Sequence, residues 1–198
     1  VLIAVPSFIL KMIEYANQHH IDLNKTSVKK IICIGESIRN TDFSLNELAK
    51  RIVNNWNVQL FSTYASTEKQ TAFTECTEHN GSHAHAALII FEILDDNNKP
   101  LKPGEYGELT ITTLGIEGMP LLRYKTGDIC TYYDEACACG TNSYRLSQIV
   151  GRKKQLIKLK GTTLYPSTIF NTLNSIQEIE DYFVEVKTND IHTDDVHV

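Results

Sequence analysis

The segment Lys29-Lys30-Ile31-Ile32-Cys33-Ile34-Gly35 constrains the fold more than any other part of the chain. Its apolar run shows no polar alternation, which is the pattern of a buried, parallel strand flanked by helices rather than of a half-solvated one. The neighbouring sequence supplies such helices. Pro6-Ser7 precedes Phe8, Ile9, Met12, Ile13 and Ala16, the spacing of one helical face with proline near the first turn. Leu45, Leu48, Ala49, Ile52, Val53 and Trp56 repeat that spacing, with Thr41 or Asp42 as the cap. Val58-Gln59-Leu60-Phe61 reads as a further strand. Helix, strand, helix, strand up to about Tyr64 predicts an α/β sheet.

The texture then changes. Ala87 to Leu94 and Glu108 to Thr113 are strand-like, with turns at Asp95-Asp96-Asn97-Asn98 and Lys102-Pro103-Gly104 between them. A mostly antiparallel β unit is expected here. After Gly151-Arg152 come a strand (Leu156 to Lys160), a turn at Gly161, a helix opening at Tyr165-Pro166 and a strand from Tyr182 to Val186. The expected organisation is a larger part over 1–150, α/β over 1–70 and β-rich over 71–150. A hinge and truncated small α+β domain follow over 151–198. There is no initiator Met, and after the Tyr182–Val186 strand a turn leads into a second strand that is barely begun, so the sequence reads as a fragment of a longer protein.

Composition narrows the function. With 198 residues, 42% apolar and 22% charged, the chain can bury a core without disulfides and is not disordered. A net charge of −5 gives no reason to expect a nucleic-acid partner. No apolar run approaches the roughly 20 residues of a membrane span. The five cysteines are odd in number and no secretory signal precedes them, which points to a reducing cytoplasm. His19, His20, His192 and His197 read as solvated, as does the Asp95-Asp96 pair.

Three short motifs carry chemistry. Ser62-Thr63-Tyr64-Ala65-Ser66-Thr67-Glu68 follows a strand, where open α/β sheets bind ligands. Its ring can stack on a base, its hydroxyl can donate to a phosphate and its carboxylate can hold Mg²⁺. The plainer alternative is a polar strand-to-helix loop capped by Thr67. Arg123-Tyr124-Lys125-Thr126-Gly127-Asp128 sets a carboxylate after a glycine turn, suited to a ribose diol; a simple β-turn is the alternative. Gly151-Arg152 at a boundary can bring a guanidinium to a phosphate or ribose while the backbone swivels; a solvated basic strand edge is the alternative.

In order and spacing these motifs together resemble the adenylate-forming enzymes, and among them the phenylacetate–coenzyme A ligase family. Val5-Pro6-Ser7, Ile34-Gly35-Glu36, Gly104-Glu105-Tyr106-Gly107-Glu108-Leu109, Met119-Pro120-Leu121-Leu122-Arg123-Tyr124 and Leu164-Tyr165-Pro166 extend the likeness from about Pro6 to Val186. The resemblance implies an α/β fold and an ATP-dependent activation of a carboxylic acid, with phenylacetate-like aromatic acids as the suggested class. The product would be an acyl-adenylate and then a coenzyme A thioester. It implies that Tyr64 packs on adenine, that Gly35 and Glu36 line the adenine site through their backbone, and that Ala65 is a further nucleotide-binding position whose methyl narrows the acyl pocket beside the carboxylate. Thr67 would contact the α-phosphate and Glu68 would bind Mg²⁺. Asp128 would hold the ribose, Arg152 would contact ribose or phosphate, and Lys154 would stand at the hinge. Lys158 and Gly161 would face the site during thioester formation. ATP, coenzyme A and the acid are the implied partners, and a homodimer is one implied assembly. Transfer to a carrier thiol, or a non-catalytic nucleotide-binding paralogue, are the competing functions. Ala65 replaces the family's usual glycine and Lys154 its usual hinge aspartate. The family's phosphate loop and C-terminal catalytic lysine have no counterpart here, so the isolated segment is expected to adenylate little or nothing.

The cysteines suggest a metal. Cys137-Ala138-Cys139-Gly140 is a tight pair with a glycine turn, and Cys76 with His83 seven residues later can add two ligands from a hairpin. Three thiolates and an imidazole make a closed tetrahedral zinc site of the structural kind. Some members of the resembled family carry such a knot. His79 and His85 are rival ligands, and four unrelated reduced side chains are the plainer alternative. Cys33, in its apolar strand, reads as core.

Overall fold

The expected parallel strand sits at the centre of the first half of a computed structural model, which describes residues 1–159, 162–176, 178–179, 182–188 and 194–197. Strand β2 (Lys30–Cys33) runs parallel to β1 (Leu2–Ala4) on one side and to β3 (Gln59–Ala65) on the other. Helices α1 (Pro6–Gln18) and α2 (Glu47–Asn55) cover one face of these strands. Ile9, Ile13, Ile31, Cys33, Ile38, Ala49, Ile52 and Leu60 form the core between helices and sheet. The opposite face is more open than the apolar run suggests, with Ile32 half-buried and Ile34 exposed. β1 lies where sequence gave no strand signal; its backbone is paired by register with β2 from Leu2↔Ile31 to Ala4↔Cys33.

Two boundaries differ from expectation. Helix α2 starts later than Thr41 or Asp42 would place it. Asp42 spends its carboxylate on a local turn, accepting from the Ser44 N–H at 3.0 Å and hydroxyl at 2.6 Å. The true cap is Asn46, whose Oδ1 accepts from Ala49 N at 2.9 Å while its amide donates to the Ser37 carbonyl at 2.8 Å. Strand β3 is longer than Val58 to Phe61. It runs to Ala65 because β4 (Ala72–Glu75) pairs with its second half in the opposite direction, Tyr64 facing Phe73. The segment after it turns directly into β4 and forms no helix for Thr67 to cap.

From β4 the sheet continues as β4-β5-β10-β9, made of β5 (Ser82–His83), β9 (Tyr132–Tyr133) and β10 (Arg145–Leu146). A second antiparallel sheet has the order β11-β8-β7-β6, built from β6 (Ile89–Leu94), β7 (Gly107–Thr113), β8 (Tyr124–Cys130) and β11 (Gly151–Arg152). Its core joins Phe73, Ile89, Ile93, Leu109, Ile111 and Cys130. The β6–β7 connection contains both expected turns. In the first, Asp95 accepts from Asn97 N and Lys99 N at 2.8 Å each. Asp96 is more than solvated, since it pairs with Lys153 at 2.8 Å.

The last part holds β12 (Ile157–Leu159), β13 (Thr162–Leu164), α3 (Pro166–Asn174), β14 (Glu185–Thr188) and β15 (Asp194–His197). Helix α3 opens after Tyr165 as expected. Strand β14 begins at Glu185, three residues later than Tyr182. The expected Gly161 turn and His192 lie outside the described residues. His19, His20 and His197 are exposed, and Cys33 is fully buried.

Candidate nucleotide-binding site and metal cluster

The site begins with an irregularity in β8. Its pairing with β7 shifts between Glu108↔Ile129 and Thr110↔Lys125, leaving Thr126-Gly127-Asp128 as a bulge. The motif is therefore not a turn between strands. Gly127 sits at φ +78°, a conformation glycine adopts without strain. The Thr126 hydroxyl pins the bulge, donating to the Leu109 carbonyl at 2.9 Å and accepting from Asp128 N at 3.1 Å.

The bulge turns the buried Asp128 towards β3 and β11. Its Oδ2 accepts from the Tyr64 hydroxyl at 2.5 Å, and its Oδ1 accepts from Arg152 Nε at 3.1 Å. Arg152 also faces Asp128 across the β8–β11 ladder. Burial, and then the Asp128 carboxylate, push the Tyr64 phenol far above its ordinary value, so it remains a neutral donor. Residues 64, 128 and 152, distant in sequence, thus meet in one cluster.

Lys69 completes it, unforeseen in the sequence. The residue is 2% exposed and its ammonium lies 3.7 Å from the Tyr64 ring centroid. Burial brings its pKa down to about 8, against the opposing pull of Asp128 and Glu68. Ala65 is exposed at the end of β3, and Thr67 and Glu68 are exposed on the turn between β3 and β4. Glu68 is held below the ordinary carboxylate range, first by its own backbone N–H, then by Ser66. The charge of Arg152 reaches it as well.

Gly35, at φ +79°, and Glu36 leave the carboxyl end of β2, beside the strand that carries Tyr64. The Glu36 side chain is committed to α1, accepting from Ser7 N and Ser7 Oγ at 2.9 Å each. That contact explains why Pro6-Ser7 and Gly35-Glu36 belong together. Lys154 is exposed in a short 3₁₀ turn, next to Lys153, which bonds Glu108 at 3.3 Å.

A second cluster lies at the other end of β4. Cys76 follows β4, His83 is in β5, and Cys137 and Cys139 lie on the connection between β9 and β10. One ligand atom from each lies within 4.8 Å of the others. Cys76 Sγ is 3.7 Å from Cys137 Sγ, and Cys139 Sγ is 3.4 Å from His83 Nε2. Sulfurs about 2.3 Å from a common tetrahedral centre would be about 3.8 Å apart, so the donor set fits zinc. His83 Nδ1 is bonded to Ser143 Oγ at 3.0 Å, which leaves Nε2 towards the thiols. Burial, then Arg145, lower the basicity of His83 and favour the neutral ring a metal needs. The rivals are engaged elsewhere: His79 with Glu75 at 3.1 Å, His85 with the Thr74 hydroxyl at 3.4 Å.

Between the two clusters stands Glu75. It accepts from Ser62 N of β3 at 2.9 Å, from His79, and from Arg39 through Nε and through Nη2 at 3.2 Å. Arg39 also reaches the Phe43 carbonyl at 3.0 Å. The buried pair fastens the loop before α2 to β3 and β4.

No family model matches the chain. Over 111 residues it is 38% identical to the phenylacetate–coenzyme A ligase of Thermus thermophilus, a match covering 55% of this chain and 25% of that enzyme. The structure of a 2-hydroxyisobutyryl-CoA ligase in complex with 2-HIB-AMP superposes with a TM-score of 0.76 at 23% identity, over 88% of this chain and 37% of that one. The o-succinylbenzoate CoA synthetase of Bacillus subtilis, in complex with its acyl-adenylate, gives 0.66 at 16% identity, over 100% and 40%. The chain spans well under half the length of each. Over part of its length the chain is thus similar in sequence to phenylacetate–coenzyme A ligases, and its fold matches a portion of the fold seen in these solved CoA ligases.

Proposed function

We propose that the chain supplies the adenine, ribose and Mg²⁺ contacts of an AMP-forming acyl– or aryl–coenzyme A ligase acting on a small carboxylic acid of the phenylacetate type. The observation that supports this most is the meeting of Tyr64 and Arg152 on the two oxygens of Asp128. A buried carboxylate beside an aromatic ring is what a nucleoside needs: an acceptor for the ribose diol and a surface for the base. The Thr67 hydroxyl donates to the α-phosphate from the exposed turn, and the Arg152 cation offsets phosphate charge. Mg²⁺ takes one or two carboxylates together with substrate phosphates, and the exposed, readily ionised Glu68 suits that role. Gly35 and Glu36 border the base through their backbone.

In the first step the acid's carboxylate oxygen attacks the α-phosphorus, forming an O–P bond as pyrophosphate leaves. In the second the coenzyme A thiolate attacks the acyl carbon, and AMP leaves with the bonding pair. The protein's part is alignment and charge neutralisation. Residues 151–198 serve as the hinge and the start of a small domain, with Lys154 at the pivot. The Cys76, His83, Cys137 and Cys139 quartet holds a structural zinc, since all four positions are filled by protein.

The test is AMP titration followed by backbone NMR. Millimolar AMP should shift the amides around Tyr64, Asp128 and Arg152, and Asp128→Ala should weaken the apparent Kd about 10- to 100-fold, the loss of charged hydrogen bonds. Shifts confined to residues away from this cluster would overturn the assignment.

A further inference from the structure

Arg145 is one of the largest side chains in the protein to be fully buried, at 2% exposure. A buried guanidinium normally has a carboxylate, because an unpaired buried charge is costly. Among the described residues no acidic side chain forms an ion pair with it. Its Nη1 donates to the Asn80 carbonyl at 2.5 Å and its Nη2 to the Glu135 carbonyl at 3.3 Å. Its Nε has no hydrogen-bond partner, and the guanidinium lies 5.7 Å from the Tyr133 ring centroid.

The two carbonyls are informative. Asn80 lies on the loop between Cys76 and His83, and Glu135 lies just before Cys137 on the loop that also bears Cys139. Arg145 itself faces His83 across the β5–β10 ladder. One planar fork therefore bridges the two loops that carry the four ligands, a geometry a lysine cannot reproduce. The charge is informative too. Three thiolates and a neutral imidazole around a divalent cation leave one net negative charge in a half-buried place, with His83 and Cys137 buried and Cys76 and Cys139 partly so. The nearby cation without a carboxylate answers it.

We infer that Arg145 is the positioning residue of the metal cluster, clamping both ligand loops and balancing the charge of a three-thiolate zinc centre. This rests on the zinc reading above, and the measurements separate the two. Zn²⁺ affinity is read by competition with a chromophoric chelator, Co²⁺ coordination by its visible and thiolate charge-transfer bands, and unfolding by urea with and without metal.

Wild-type protein should bind about one Zn²⁺ and give tetrahedral Co²⁺ bands. Arg145→Met should raise the Zn²⁺ Kd about 10- to 100-fold, the usual cost of losing an outer partner of a metal site. Arg145→Lys, which keeps the charge but not the fork, should give a smaller rise. If R145M does not fold, R145K carries the test alone, and an unchanged Kd there overturns the clamp. An equal loss of stability in the metal-free and loaded forms of R145M, with Kd unchanged, would make Arg145 a packing residue and overturn the inference. Failure of the wild type to bind Zn²⁺ or Co²⁺ would instead remove the zinc reading, and the inference with it.

Discussion

Lys69 shows how much a single residue can withhold from sequence inspection. In a polar stretch between Glu68 and Gln70 a lysine reads as solvated, yet here it is buried against the Tyr64 ring. Its folded pKa of about 8 stands below the ordinary 10.5. Between these values the unfolded chain holds a proton that the folded chain has released. Stability contributed through this residue therefore rises from about pH 8 to 10.5, and the penalty is constant below that window. Lys69→Met removes the titration. The stability of wild type relative to K69M should climb between pH 8 and 10 in urea unfolding; a flat difference would place the ammonium in solvent. Glu75 is the opposite case, a carboxylate with several donors converging on it. Glu75→Ala strands the Arg39 guanidinium in the interior and should cost about 3–5 kcal/mol in the same assay. No local pattern announces this pair, because its partners are 36 residues apart.

At the scale of elements, helical spacing finds α1 and α2, an unbroken apolar run finds β2, and strand-like stretches find β6 and β7, all signals spread along several residues. They fail where one long-range bond decides. Asp42 resembles a helix cap, but it is satisfied by Ser44 two residues on. Asn46 becomes the cap because the Ser37 carbonyl holds its amide in place. Asn46→Ala should cost about 1–2 kcal/mol in urea unfolding, whereas Asp42→Ala should leave the transition essentially where it is. Equal effects would return the helix start to residue 42. The second half of β3 was equally hidden, since Ser62-Thr63-Tyr64-Ala65 looks like a loop until β4 supplies its hydrogen bonds. The bulge at Thr126-Gly127-Asp128 had a visible glycine, but glycine alone does not separate a turn from a bulge.

At the scale of the whole molecule, the resemblance carried more than composition could. Likeness to a known family groups Tyr64, Asp128 and Arg152, which no local pattern links, and the three side chains meet in the fold. The cysteine spacing named the quartet but left His79 and His85 in contention. What removed them from it was tertiary: a carboxylate for one and a threonine hydroxyl for the other. Arg145 was unreadable for the same reason, since its partners are backbone carbonyls, which leave no mark in a sequence.

Strand β3 is laced to β2 in one direction over its first residues and to β4 in the other over its last. Neither ladder can slip by a residue without tearing the other, and a slip would also throw Tyr64 onto the wrong face. Divergence in this protein therefore has unequal room: the connectors on either side can lengthen or shorten, but an insertion within Gln59–Ala65 has nowhere to go.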